Sequence, residues 1–296
     1  METRPRPSEK SWGFSFCTSI VARNEKKVLS LFRPTPLIFV AIACIMEKKW
    51  PILKHPPVDV ALFQLKFNMG ESTLADLISS DSDIRKFLPV RHESVASEVN
   101  FPNTKITIGV SQVTGTSRTK VAGYLYTSVD QKSKVEIKEG VLTYIEEHPY
   151  EGWDPFLANV KAFLVLFSKA FSGHTMTRTS IRFINRFVIE DFNNPIDYFK
   201  TTISASEPNA VPYPVSQFAF NMMLPVNENI YSIVKQEFNK ISDTNNYIFD
   251  IDVLDQSNLI FDIDLIAEVL ANLRKIKNEI FFGNVTDKLI EICNLD

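Results

Sequence analysis

Three arginines on one predicted strand are the residues best placed for chemistry. Side chains on a strand alternate between two faces, so Arg178, Arg182 and Arg186 in Thr177–Glu190 share one face over roughly 26 Å. Guanidinium groups bind carboxylates and phosphates through parallel hydrogen bonds. The pattern predicts either a binding surface for an anionic ligand or acidic partner, together with Asn185, or a solvated sheet face whose arginines pair with carboxylates on neighbouring strands.

Two aspartates supply the complementary charge. Asp250 and Asp252 lie two residues apart on a predicted strand, so their carboxylates share one face at a separation of roughly 7 Å. If that strand neighbours the arginine strand, the two sets are cross-strand partners. Alternatively, the two carboxylates hold a divalent ion such as Mg²⁺, which prefers oxygen ligands. The further aspartates that follow also favour turn and helix-cap roles for this acidic stretch.

The sequence lacks the local motifs of common enzyme classes. The four histidines are scattered, and none has a second His, Cys or Asp at metal-ligand spacing. The nine glycines form neither a G-x-G-x-x-G nor a G-x-x-x-x-G-K-[ST] loop, and G-x-S-x-G is absent. We therefore predict no catalytic residue and no cofactor. An enzyme stays open as the alternative, because acid–base sites can be assembled from residues distant in sequence.

Hydrophobic periodicity predicts the elements that position these residues. In the first half, a strand over about 58–67 precedes a helix over 71–87 that is broken near Ser79–Asp81. Strands then follow over 105–113, 120–128 and 135–146, the last with a turn at Glu139–Gly140. Asp154 and Pro155 predict the start of a long helix, which Gly173 ends.

The second half repeats this plan. The arginine strand is followed by a short helix over 195–199, three strands over 215–224, 231–238 and 247–254, and a long helix over 264–280. The apolar face of that helix is predicted to hold Leu265, Val269, Leu273, Ile276 and Ile280.

These spacings predict an α+β fold. We expect antiparallel sheet with two long helices packed against it, in a single domain over 46–296 or in two similar halves over 46–175 and 176–296. A meander, a split sheet and a closed barrel all fit the strand spacing.

Residues 1–45 differ from the rest of the chain in charge. They hold seven Lys/Arg against three Glu, which gives +4 and leaves −7 for residues 46–296 out of the net −3. We expect a poorly ordered leader that extends upstream of a natural start at Met46, or a genuine regulatory leader. A third interpretation is a bacterial lipoprotein leader that is cleaved before Cys44, because the apolar run Leu37–Met46 has the length of a signal-peptide core.

The charge and cysteine content of residues 46–296 narrow the range of possible functions and of cellular compartments. An acidic body disfavours a protein that coats nucleic-acid phosphates, because such binding needs clustered positive charge. Cys293 is the one cysteine after residue 45, so no disulfide framework can form there and a reducing cytoplasm is expected. The ten apolar residues that end at Met46 are too few for a membrane span, which needs roughly 20.

Three segments taken in order resemble a known protein family. They are K-H-P-P-V-D-V-A-L-F-Q-L-K-F at Lys54–Phe67, R-F-I-N-R at Arg182–Arg186 and I-F-D-I-D at Ile248–Asp252. The chain resembles an uncharacterised, sporadically distributed family of bacterial cytoplasmic proteins, which open with a P-P-[LIV]-x-E-like strand and carry an R-[YF]-I-N strand near mid-chain. The resemblance covers residues 46–296, and Asp59 stands where the family usually has Glu. It implies no established activity and no catalytic residue.

The resemblance and the missing motifs together favour a binding function. Scattered occurrence in bacteria is often seen for mobile or defence genes, which suggests an antitoxin, immunity or defence-accessory protein that binds another protein. A homo-oligomer is compatible with this role. The alternative is an enzyme that acts on an anionic or phosphorylated substrate, with the arginines for binding and Asp250 and Asp252 around a divalent metal.

Overall fold

Alternating apolar residues build the strands of one antiparallel sheet. The computed structural model describes residues 50–100, 116–190, 194–202, 216–241 and 244–295. The strands are β1 (Val58–Phe67), β2 (Val90–Asn100), β3 (Thr116–Thr127), β4 (Ser133–Lys138), β5 (Val141–Glu147), β6 (Thr175–Val188), β7 (Gln217–Pro225), β8 (Ile230–Ile241), β9 (Thr244–Asp255) and β10 (Leu259–Ile260). The helices are α1 (Leu74–Leu77), α2 (Asp81–Phe87), α3 (Trp153–Phe171), α4 (Ile263–Asn284) and α5 (Asp287–Ile292), with 3₁₀ turns at Ile78–Ser80 and Pro195–Asp197.

The strand order places β1 and β6 at the middle of the sheet. Neighbouring strands follow the order β2-β3-β4-β5-β1-β6-β9-β8-β7, and β10 pairs with the start of β6. Each central strand is therefore flanked by the last strand of its own meander, β5 beside β1 and β9 beside β6. All of these pairs are antiparallel.

The helices cover one face of this sheet. In β1 and β6 the odd-numbered apolar residues, such as Phe63 and Phe183, are buried, while even-numbered residues near the middle of the strands, such as Leu62 and Arg182, stay partly accessible. Phe183 meets Phe156 of α3 with ring centroids 5.9 Å apart, and Phe249 of β9 stacks on Phe281 of α4 at 5.9 Å. Full burial of such a side chain contributes about 1.5–3 kcal/mol, so this aromatic layer supplies much of the stability.

The prediction of an α+β fold on antiparallel sheet is confirmed. The helix break predicted near Ser79–Asp81 is the 3₁₀ turn between α1 and α2, and Gly140 makes the β4–β5 turn with a φ of 69°. The strand β2 was not predicted, and β3 begins at Thr116 rather than near Lys120. The strand predicted over 105–113 and the leader 1–45 lie outside the described residues.

Both long helices differ from their predicted details. Helix α3 begins at Trp153 with Gly152 as its N-cap residue, so Asp154 is in the first turn and does not cap the helix. Gly152 takes a φ of 121°, which glycine adopts readily because it lacks a Cβ. The buried face of α4 centres on Ile266 and Leu270, one position away from the predicted stripe.

No described helix is long and apolar enough to cross a lipid bilayer. Taken by itself, the stretch Trp50–Asp296 forms a compact unit.

Candidate functional site

The predicted arginine strand lies at the middle of the sheet face that no described helix covers, which we call the open face. The face is formed by the even-numbered residues of β1, β6 and β9 and by the odd-numbered residues paired with them in β5 and β8. Arg178, Arg182 and Arg186 therefore share this face, as the period of two predicts. The strand β6 pairs with β1 on one side and with β9 on the other, so carboxylates from both neighbours come within reach.

Arg182 makes the best-ordered contact on the open face. Its Nε donates to Asp250 Oδ1 at 2.9 Å, and its Nη2 donates to Asp250 Oδ2 at 2.6 Å. The side chain of Asp250 is 7% exposed and that of Arg182 is 43% exposed, so the carboxylate is the buried partner. The hydrogen bond with Asp250 raises the pKa of Arg182. The cross-strand pairing predicted between arginines and aspartates is thus found for these two residues.

Asp252 lies on the same face but has no comparable partner. In the β6–β9 register it stands directly opposite Arg182, whose guanidinium is engaged by Asp250. The Oδ1 atom of Asp252 is buried and accepts no hydrogen bond from any described residue. Burial raises the pKa of Asp252 to about 6, an effect that Arg182 and Arg178 partly offset and that Asp250 reinforces. This carboxylate is therefore hard to ionise.

Arg178 extends the polar cluster toward β1. Its Nη2 donates to Gln64 Oε1, and Gln64 Nε2 donates in turn to Thr143 Oγ1 of β5 at 3.0 Å. The Nε of Arg178 is buried and donates to no described residue. The open face thus holds one unpaired acceptor at Asp252 and one unpaired donor at Arg178, on neighbouring strands. We call Gln64, Arg178, Arg182, Asp250 and Asp252 the central cluster.

Arg186 forms a separate ion pair at the end of β6. Its Nε donates to Asp59 Oδ2 at 2.9 Å, and the two side chains are 46% and 33% exposed. The β1–β6 register shifts between Val58 and Val60, so Asp59 is the extra residue of a bulge that directs its carboxylate at Arg186. An exposed pair of this kind contributes about 0–1 kcal/mol, so its defined geometry is of more use for recognition than for stability.

Asn185 is not part of this surface. It is 2% exposed, and its Nδ2 donates to the backbone carbonyl of Phe249 at 2.8 Å. As an odd-numbered residue of β6 it follows the apolar side chains to the helix-covered side. The structure therefore separates Asn185 from the arginines with which it was grouped.

The aspartate pair does not form a ready metal site among the described residues. Both carboxylate oxygens of Asp250 accept hydrogen bonds from Arg182, so only Asp252 of the pair is left for a metal ion. The described part of the chain holds no group of three or more His, Cys, Asp or Glu side chains placed to bind a metal ion. Of the two carboxylates, Asp250 acts here as the hydrogen-bonding partner of an arginine.

Partly exposed aliphatic side chains surround the central cluster. They come from five adjacent strands, and each is neither fully buried nor fully exposed. These side chains are Leu62, Ile145, Ile184, Ile233 and Ile248. The open face therefore combines apolar area with fixed charges of both signs.

Lys277, on the opposite side of the sheet, was missed by the sequence analysis. It stands beside the buried stripe of α4, and its Nζ lies 4.5 Å from the ring centroid of Phe183. The residue as a whole is partly exposed, but its amine is enclosed, and this burial lowers the pKa of Lys277 to about 7, with a further contribution from Arg274. The signal was available, because Lys277 follows Ile266, Leu270 and Leu273 at helical spacing.

Surface depressions occur away from the open face. One lies between the end of α3 and the start of α4, lined by Ser168, Ser172 and Asp262, and another lies beside α2 at Asp81 and Arg85. Both are shallow, and neither contains a residue of the central cluster.

Comparison with known proteins gives no match: no family model, no curated protein and no solved structure is significantly similar to this chain. The family resemblance of the three segments therefore stays a prediction, and function is inferred from the geometry.

Proposed function

We propose that this protein is a non-enzymatic binding protein that recognises another protein through its open face. The role fits the antitoxin, immunity or defence-accessory kind of protein that the family resemblance suggests. The resemblance supplies only the biological class, whereas the contacts of the open face support the binding surface itself.

One observation carries the proposal: the open face leaves aliphatic side chains partly exposed around polar groups that are already held in place. The Arg182–Asp250 pair fixes the middle of the face, and Ile184 and Ile248 lie beside it on the same two strands. Apolar area around ordered polar groups is the composition of protein interfaces. A partner that covers this face would bury the aliphatic groups without having to order the ion pair.

The unpaired atoms of the central cluster show that its hydrogen bonding is incomplete. Asp252 Oδ1 is an acceptor and Arg178 Nε is a donor, and both are buried without a partner among the described residues. A buried polar atom without a hydrogen bond costs about 1–3 kcal/mol. Because neither atom is accessible, a partner that covers the open face gains contacts with the partly exposed aliphatic side chains around these two atoms.

The mixture of charges favours a protein over a nucleic acid. Arg182 and Arg186 each face an aspartate, so little net positive charge remains for phosphates. Counterion release by unpaired Lys and Arg drives most nucleic-acid binding. Paired charges instead give register and selectivity against a surface that also carries both signs.

We further infer that residues 46–175 and 176–296 are two versions of one unit. Support comes from the shared order in each half: a central strand (β1 or β6), a meander that returns beside it, and a long helix (α3 or α4). The antiparallel β1–β6 pair is what a two-fold relation between the halves would produce. The proposed binding surface then lies where the halves meet.

Capture with matched variants tests the binding function. Full-length protein with a C-terminal tag is used as bait in extract of the native host, alongside Ile184→Glu, Ile248→Glu and the control Val165→Glu. Val165 is an exposed aliphatic residue of α3, 58% accessible and on the other side of the sheet. We expect a stoichiometric partner that is retained by wild type and Val165→Glu and lost by both open-face variants.

The captured partner is then purified and titrated against each variant. A charge buried against apolar area costs several kcal/mol, so we expect affinity to fall at least about 100-fold for Ile184→Glu, with the melting temperature little changed. Equal affinity for Ile184→Glu and Val165→Glu would overturn the assignment to the open face.

A thermal-shift screen with Mg²⁺, Mn²⁺ and nucleotides separates this function from the metal-dependent enzyme. A ligand that binds only the native state raises the melting temperature by mass action. For Asp250 and Asp252 to hold a metal together, the Arg182–Asp250 hydrogen bonds must break. We therefore expect no shift, and a stabilisation that Asp252→Asn abolishes would favour the enzyme.

A further inference from the structure

The strand β7 ends the sheet on one side. It pairs with β8 over its whole length, and no described strand pairs with its outer edge. An edge strand presents a row of unpaired backbone N–H and C=O groups, which is a template for another strand. The residue types and the regularity of the edge strand therefore decide whether another strand can pair with it.

The described residues of the β7 edge lack the charges and bulges that usually protect an edge strand. Its nine residues, Q-F-A-F-N-M-M-L-P, include no charged side chain, and its register with β8 is continuous without a bulge. The opposite edge strand, β2, differs on both points: Arg91 and Glu93 are exposed there, and its register with β3 shifts between Ser94 and Val95. Charged side chains and bulges disfavour strand pairing at a sheet edge. The described residues of β2 have both features, whereas those of β7 have neither.

The backbone hydrogen bonds show which groups of β7 point outward. Lys240 N donates to Ser216 O, and Val226 N donates to Ile230 O, each at 2.9 Å. In an antiparallel pair the residues bonded to the neighbour alternate with residues that face away. The even-numbered residues of β7 therefore bond to β8, and the odd-numbered residues from Gln217 to Met223 present N–H and C=O to the outside.

This strand is complementary to itself. An antiparallel copy related by a two-fold axis at Asn221 places odd-numbered residues opposite odd-numbered residues, so that outward N–H and C=O groups meet. The one proline sits at the strand end, where its missing N–H costs least. The facing residues would be Asn221 with Asn221, Ala219 with Met223, Phe220 with Met222, Phe218 with Leu224 and Gln217 with Pro225.

These pairs suit each other chemically. Apolar residues face apolar residues in three of the five pairs, Asn221 faces Asn221, Gln217 faces Pro225, and no charges meet. The two Asn221 side chains, exposed in the single chain, can exchange amide hydrogen bonds at the axis. Met223, which is 68% exposed, would be covered by Ala219 of the second copy.

We propose that β7 pairs with β7 of a second copy in antiparallel register about Asn221, which makes the protein a homodimer with one sheet running through both chains. The occupant is the chain itself because the edge is its own complement in hydrogen bonding, in polarity and in the absence of charge. The odd-numbered side chains of β7 lie on the open face, but the pairing itself uses backbone groups at the end of the sheet, so this dimer does not depend on the proposed function.

Paired charge variants test the register directly. The full chain, Asn221→Lys and Asn221→Glu are measured by light scattering after size exclusion, up to about 100 µM, where micromolar complexes are populated. We expect twice the mass of one chain for wild type and the mass of one chain for each variant, because like charges then face each other at the axis. Mixing the two variants in equal amounts should restore the doubled mass, since Lys then faces Glu.

Three results would overturn the proposal: a wild-type monomer at the highest concentration, a doubled mass in either single variant, or a mixture of variants that stays monomeric. Asn221→Pro is the second variant if a charge there disturbs folding. The Asn221 N–H is not used by β8, so proline leaves the fold intact and removes the outward donor. Asn221→Pro must therefore be a monomer with an unchanged melting temperature.

Discussion

Arg182 stands directly opposite Asp252 in the β6–β9 register, yet its guanidinium binds Asp250. The contact is diagonal, and the long arginine side chain spans it. One carboxylate is thereby satisfied and the other is left with a buried oxygen that accepts no hydrogen bond from a described residue. The open face consequently contains one hydrogen-bonded ion pair, Arg182–Asp250, and one aspartate, Asp252, whose charged form is disfavoured. Loss of the ion pair should lower the stability of the fold, whereas removal of the Asp252 charge should raise it.

Asp252→Asn should stabilise the protein at neutral pH. The folded-state pKa of Asp252 is raised to about 6, above the unfolded value of about 3.9. Between these values the folded state binds the extra proton, so the free energy of unfolding falls as pH rises and the loss is complete above about pH 6. We expect the variant to be more stable by about 1–3 kcal/mol at pH 7.

Chemical denaturation of wild type and Asp252→Asn from pH 3.5 to 7.5 measures this difference. The two curves should converge as the pH falls below about 3.9, because Asp252 then becomes protonated in the unfolded state as well as in the folded state. A variant that is less stable at pH 7 would mean that attraction to Arg178 and Arg182 outweighs the burial of the charge.

Loss of one member of the Arg182–Asp250 pair should destabilise the fold. Arg182→Met leaves the Asp250 carboxylate, 7% exposed, without its donors, at a cost of about 1–3 kcal/mol. Replacing both residues, as Arg182→Met with Asp250→Val, should recover most of that loss because no charge stays buried. A double-mutant cycle read by urea denaturation checks the coupling, and additive single effects would show that the pair contributes nothing.

Two glycines give opposite predictions for the same substitution. A Cβ on Gly123 of β3 would lie 2.6 Å from the carbonyl oxygen of Ile137, a backbone atom that cannot rotate away. Gly123→Ala should therefore cost about 1–3 kcal/mol. A Cβ on Gly283 of α4 would meet no atom within 4 Å beyond its chain neighbours and its own helical backbone, so Gly283→Ala should stabilise by up to about 1 kcal/mol. Thermal unfolding of both variants provides the comparison.

Local periodicity was sufficient to place the arginines and aspartates on strand faces. Alternation along β6 and β9 depends only on strand geometry, so each set could be assigned to one face without knowledge of the fold. The choice of Asp250 over Asp252 as the partner of Arg182 could not be predicted, because it depends on which strands are neighbours and in what register. Both are non-local properties.

The elements that were missed or misplaced are those whose pattern is broken by polar residues. The start of β2 reads V-R-H-E-S and lies at a sheet edge, where few positions need to be apolar. In α4, Lys277 stands beside the buried stripe of Ile266, Leu270 and Leu273, whereas the predicted face lay toward Leu265 and Val269. A stripe that includes the lysine would have identified both the helix face and the buried amine.

Lys277→Met should stabilise the protein most at and below neutral pH. The Lys277 amine is enclosed beside Phe183, and burial lowers its folded-state pKa to about 7, against about 10.4 in the unfolded chain. Between these values the unfolded state binds more protons, so the free energy of unfolding of the wild type rises with pH. Methionine keeps the length of the side chain and removes the charge, which should add about 1–3 kcal/mol at pH 7 and progressively less toward pH 10.

The matched control for the buried amine is Lys275→Met, at an exposed position of the same helix. This variant removes the same charge from the solvent-exposed surface, so it controls for the change in net charge. Denaturation of the wild type and both variants from pH 6 to 10 decides the point. Parallel curves for wild type and Lys277→Met would show that the Lys277 amine keeps its ordinary affinity for the proton in the folded state.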